Sequence, residues 1–232
     1  MTRYHRRDMP RRISEAVMSW DTLGFIDLIG TIAFAISGAF VGVRKEMDLF
    51  GINMLAVTTA CGGGVLRDLI VNSTPPLMFT NPFYVAVAVV CANAVFLLLR
   101  LHQHMPARLV PVYDKTLFWF DTLGLAAFTV DGVMIGVGHG HGDNLFFLSF
   151  LGFLTGLGGG VLRDVLSDQI PDIFRKHIYA LAAITGALVS GALLKYGAAP
   201  RLSMTAGFAA ILLLRVLAAH YRWNLPRIDT ES

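Results

Sequence analysis

Seven residues, Gly62-Gly63-Gly64-Val65-Leu66-Arg67-Asp68, recur letter for letter as Gly158-Gly159-Gly160-Val161-Leu162-Arg163-Asp164. Both copies lie inside long apolar stretches. Glycine disfavours helix by about 1 kcal/mol relative to alanine, and an Arg-Asp pair is expensive wherever water is scarce. In hydrocarbon, irregular backbone and charge persist only where protein or a water-filled cavity supplies partners. A chain that makes this arrangement twice is using it.

The surroundings are a membrane. Of 232 residues, 55% are hydrophobic and 15% charged, against about 25% charged in a soluble domain, and the mean hydropathy is +0.60. The apolar runs have helix-spanning length and little alternation, which predicts an all-α membrane protein rather than a barrel. The net charge of +3 fits basic loops beside anionic lipid and gives no reason to expect nucleic acid. Cys61 and Cys91 sit in apolar runs without CxxC or metal-ligand spacing and read as small buried side chains. The first apolar segment is too long for a signal-peptide core and is expected to stay as a span.

Residues 1–21 form a basic arm containing Arg3, Arg6, Arg7, Arg11 and Arg12. Seven spans follow, at roughly 22–43, 49–71, 82–100, 116–137, 145–167, 177–195 and 202–221. Asn72-Ser73-Thr74-Pro75-Pro76 breaks the chain after the second span, and Gly138 to Asp143, with His139 and His141, reads as an exposed turn after the fourth. Asp27/Asp121, Phe34/Phe128, Gly38/Gly132 and Gly42/Gly136 pair at an offset of 94, and the glycine triplets, the Arg-Asp pairs and Pro75/Pro171 at 96. Residues 22–100 and 116–195 are therefore two copies of a three-span unit joined by a loop at 101–115. An odd number of spans inverts the second copy. The seventh span, within 196–221, has no counterpart, and a tail follows from 222. Lys and Arg concentrate in the loops on the C-terminal side, which predicts a cytoplasmic C-terminus and an external N-terminus, although the arginines of the arm argue the other way.

The triplets invite two readings. Small-xxx-small pairs such as Gly38/Gly42 and Gly152/Gly156 argue for close helix packing. Three glycines in a row, twice, argue instead for a kink that exposes backbone to a central cavity, and this is the expectation adopted. Adjacent helical residues point about 100° apart, so Arg67 is expected to pair with Asp164 and Arg163 with Asp68 across the two-fold. Those pairs either line a pore or merely hold the two units in register. Asp131 lies mid-span, with Ser37 as its counterpart. Asp27 and Asp121, about one turn inside their spans, read as helix-start carboxylates at the interface, and Arg215 as a snorkelling side chain. Asp27, Asp68, Asp121, Asp131 and Asp164 outnumber Arg67 and Arg163 by three charges if all are ionised, a balance that attracts cations. No Lys-Ser/Thr follows a triplet, and no Ser-His-Asp or HExxH arrangement is present, so no enzyme, cofactor or metal site is expected.

Two inverted three-helix units, each with Gly-Gly-Gly-x-x-Arg-Asp on its second helix, plus an unpaired seventh helix, resemble the prokaryotic branch of the trimeric intracellular cation (TRIC) channels over about residues 22–221. The resemblance implies a homotrimer in a bacterial or archaeal cell membrane. Each subunit would have its own pathway for potassium, and less selectively sodium, between the repeats. Gly62, Gly63, Gly64, Gly158, Gly159 and Gly160 would be kink residues of the second and fifth helices, with Arg67, Asp68, Arg163 and Asp164 following them towards the cavity and the fifth helix moving in gating. The basic lipid-related motif of the animal members is not found. A secondary transporter of a small solute such as an amino acid fits the same inverted plan, with exposed amides and Arg67 or Arg163 holding a carboxylate. A scaffold without permeation is the third reading.

Overall fold

A computed structural model describes residues 20–101, 110–175 and 177–223. The basic arm up to residue 19, the connection at 102–109 and the tail beyond 223 lie outside the described residues. The elements are α1 (Trp20–Arg44), α2 (Leu49–Ile70), α3 (Leu77–Thr80), α4 (Phe83–Leu101), α5 (Val110–Gly136, extended by a π turn over Val137–His141), α6 (Leu145–Leu166), α7 (Asp172–Arg175), α8 (His177–Lys195) and α9 (Pro200–His220). All but α3 and α7 are long and apolar enough to cross a membrane. In hydrocarbon the backbone must satisfy its own hydrogen bonds, so apolar runs of this length become helices. The fourth span outlasts its expected end because the π turn carries it to His141, where Gly140 takes φ +86°.

The two units repeat down to their helix caps. Asp48 accepts from Gly51 N (2.7 Å) to start α2, and Asn144 accepts from Phe147 N (3.0 Å) to start α6. Both helices end in a Schellman motif. Asn72 and Asp168 take φ +57° and +52°. Ser73 N reaches back to Asp68 O (2.8 Å) and Gln169 N to Asp164 O (2.9 Å). Asn and Asp tolerate this left-handed position better than most residues, which is the local reason the breaks fall where they do.

Within each unit the three helices pack together, α1 with α2 and α4, and α5 with α6 and α8; the units meet as α1 on α5 and α2 on α6. They run in opposite directions. Arg44, ending α1, reaches Asp114 near the start of α5 (3.3 Å), and Lys45 reaches the carbonyl of Asp168 just beyond α6 (3.4 Å). The axis relating them passes close to Phe34 and its counterpart Phe128, whose rings are 5.4 Å apart. Each ring lies over a glycine of the facing helix, Phe34 over Gly124 and Phe128 over Gly30. Among the described residues the unpaired α9 packs chiefly against α8 and α5 of the second unit.

Candidate functional site

The helices α2 and α6 run without interruption through their glycine triplets. The expected unwinding is therefore not found, and each triplet keeps its helical hydrogen bonds. Unwinding would leave amides and carbonyls unsatisfied where no water replaces the helical bonds, and the glycines have another use. A Cβ on Gly63 would lie 2.1 Å from the carbonyl oxygen of Thr155, and one on Gly159 the same distance from that of Thr59. A Cβ on Gly158 would lie 3.0 Å from the Cα of Gly63, and one on Gly62 would strike Leu162. These four glycines let two backbones touch. The third of each triplet faces elsewhere: Gly64 towards Arg67, Gly160 towards Tyr179 and Asp121.

One turn beyond the crossing, on either side, stands a charge cluster. On the first-repeat side, Arg67 donates from Nε and Nη2 to Asp68 Oδ1 (both 2.9 Å) and from Nη1 to Asp131 Oδ2 on α5. All three side chains are more than nine-tenths buried. The other Asp68 oxygen accepts from Leu77 N (2.8 Å), the first amide of α3. Asp27, on α1, is half-buried, within Coulombic reach of Arg67 and Asp131, and lies beside Tyr84 of α4.

The second cluster is its inverted image with two changes. Arg163 donates from Nε and Nη2 to Asp164 Oδ1 (2.9 and 2.8 Å), and from Nη1 to Asp121 Oδ1 (2.7 Å) and to Ser37 Oγ on α1. Asp164 Oδ2 accepts from Asp172 N (3.0 Å), the first amide of α7, and the Tyr179 hydroxyl donates to Asp121 Oδ1 (3.3 Å). Ser37 stands where the first cluster has Asp131. Arg215 then enters from α9, giving Nη2 to Asp121 Oδ2 and Nε to Thr122 Oγ1 (both 3.2 Å), with its guanidinium over the rings of Tyr179 (4.5 Å) and Phe118 (4.8 Å).

Three sequence expectations are corrected here. Each arginine pairs with the aspartate beside it, not with Asp164 or Asp68 of the other repeat, because a long side chain can fold back over the turn that separates adjacent positions. What crosses the interface is Arg67 to Asp131 and Arg163 to Ser37. Asp121 is not an interfacial helix-start group: α5 begins at Val110, and the side chain is buried between two arginines. Arg215 does not snorkel; it is buried beside Asp121. The tyrosines were missed, although Tyr84 and Tyr179 match at an offset of 95.

The arrangement offers fixed carboxylates on both sides of a closed backbone contact. Each guanidinium nitrogen of Arg67 and Arg163 has an acidic or hydroxyl partner within the cluster.

Comparison with known proteins places these features in company. A family model described as "Glycine transporter" matches residues 24–100 and again 118–195. A UPF0126 membrane protein of Deinococcus radiodurans is 36% identical over 208 residues, covering 88% of this chain and 91% of the relative. The UPF0126 inner membrane protein YadS of Escherichia coli is 34% identical over 209 residues, covering 90% and 97%. Among solved structures, the TRIC trimeric intracellular cation channel orthologue from Rhodobacter sphaeroides is similar with a TM-score of 0.77 at 34% identity, over 87% of this chain and 99% of that one.

Proposed function

The chain belongs to the prokaryotic TRIC family, the group matched by the model described as a glycine transporter, and on that footing we propose that it is a passive monovalent cation channel. Potassium is the permeant ion of this reading, with sodium accepted less selectively. The protein works as a homotrimer in a bacterial cell membrane, its external N-terminus opposite a cytoplasmic C-terminus, with lipid and permeant cations as its partners. Each protomer carries its own pathway between the repeats, along α2 and α6.

The observation that carries this reading is the Arg67 cluster. One guanidinium faces Asp27, Asp68 and Asp131 inside the membrane. With all three ionised, the surplus of negative charge in a low-dielectric wall raises the local cation concentration and repels anions. In this reading the tight Gly63–Gly158 and Gly159–Thr59 contacts block the pathway, and conduction requires α2 and α6 to part there.

Single-channel recording from reconstituted protein tests the reading. Discrete, cation-selective steps are expected, and Asp131→Asn should shift the reversal potential in asymmetric KCl towards zero. An unchanged reversal potential removes Asp131 from the pathway, and a wild-type protein without unitary currents refutes the channel.

A second reading, an amino-acid transporter, has the family model's description in its favour. It predicts saturable, gradient-coupled uptake of labelled glycine into the same liposomes. Against it stands the pairing of Arg67 and Arg163 with aspartates of their own clusters, which a substrate carboxylate would have to displace.

A further inference from the structure

The two charge clusters are related by the pseudo-two-fold but are not equal. Around Arg67, one guanidinium faces three carboxylates. Around Arg163, Ser37 replaces a carboxylate and α9 adds Arg215, so two guanidiniums face Asp121 and Asp164. Burying an arginine in a span is costly, and a side chain near a helix end has the cheaper option of reaching water. Arg215 turns inward instead, between two aromatic faces and onto the one Asp121 oxygen that Arg163 does not bond. In the first repeat, the equivalent Asp27–Tyr84 pair has Leu28 where the second has Thr122, and among the described residues no helix stands where α9 packs on the second unit.

We infer that Arg215 is a tethered counter-cation that neutralises the second-repeat end of the pathway, so that cation current is directional. The inference rests on the channel reading. With the negative surplus confined to the first-repeat end, cations concentrate at that mouth and enter from it more readily than from the other. The seventh helix, which the repeat does not require, thereby sets the polarity of an otherwise symmetric conductor. Arg163 cannot do this alone, because its guanidinium is already divided between Asp164, Asp121 and Ser37.

The test is single-channel recording in planar bilayers with equal KCl on both sides. Each channel inserts in one orientation, so the ratio of currents at opposite voltages is read channel by channel. Wild type should rectify by about two-fold or more. Arg215→Gln should bring the ratio close to one, and Arg215→Lys should restore it. Ser37→Asp supplies a carboxylate opposite Arg163 and leaves Arg215 in place; it should also lower the ratio, and it decides the matter if Arg215→Gln does not fold. A symmetric wild type, or wild-type rectification in folded Arg215→Gln or Ser37→Asp trimers, overturns the inference. A wild type with no unitary current at all overturns the channel reading and this inference with it.

Discussion

Alanine substitution within one triplet should give effects of opposite sign at neighbouring positions. At Gly63 the new methyl would lie 2.1 Å from the Thr155 carbonyl oxygen, where real contacts do not fall below 3.0 Å. The helices must separate by about an ångström, and neither backbone can rotate away. Overpacking of this kind costs roughly 1–3 kcal/mol, only partly offset by the gain of up to about 1 kcal/mol in helix propensity. At Gly64 the methyl meets only Arg67 Nη2, at 3.7 Å, an ordinary contact, so the propensity gain stands and Gly64→Ala should stabilise by a few tenths to about 1 kcal/mol. For a chain of this size each kcal/mol moves a two-state melting temperature by about 2–4 °C. Thermal unfolding of the detergent-solubilised protein should therefore place Gly63→Ala below wild type and Gly64→Ala at or above it, with Gly159→Ala repeating the loss. Equal damage at Gly63 and Gly64 would mean that the triplet serves backbone flexibility, not contact, and would refute the reasoning.

Two further changes probe the frame around the clusters. Phe34→Ala removes a fully buried ring that covers Gly124 and Gly159 on the axis, and should cost about 3 kcal/mol in the same melting assay through the cavity it leaves. Asp164→Asn sets an amide against the Asp172 N–H or the Arg163 guanidinium, both donors. A loss of about 1–3 kcal/mol is expected in the same melting assay.

Much of this molecule is readable from its residues because two periodicities agree. Apolar runs of spanning length state the number of helices, and the offsets of 94 to 96 state which helices correspond. Inversion follows by parity. The first failure concerned the triplets. Propensity scales describe helices that compete with water for their hydrogen bonds, whereas a membrane removes the competitor and keeps even three glycines helical. The second concerned partners. Which carboxylate an arginine chooses depends on how a long side chain bends, and positions along a helix do not encode that. Arg215 escaped for a different reason: α9 has no counterpart, so symmetry offered no neighbour for it. An arginine in an apolar run was itself the clue, and its meaning required the burial of Asp121. The cap carboxylates Asp68 and Asp164 were visible as charges, but their bonds to the amides of Leu77 and Asp172 depend on how the following loops fold back.

The crossing of α2 over α6 also bears on how the two halves have been free to drift. At the glycine contacts each copy is the other's mould: Gly63 meets the carbonyl of Thr155 and Gly159 that of Thr59, and a bulkier residue in either half must be accommodated by both. Positions 37 and 131 are under no such constraint, since a guanidinium donates to a hydroxyl or a carboxylate oxygen alike. Duplicated halves bound in this manner keep their spelling where they touch and part company one step away, which is how a chain descended from a doubled unit can hold one heptapeptide intact and still acquire a front and a back.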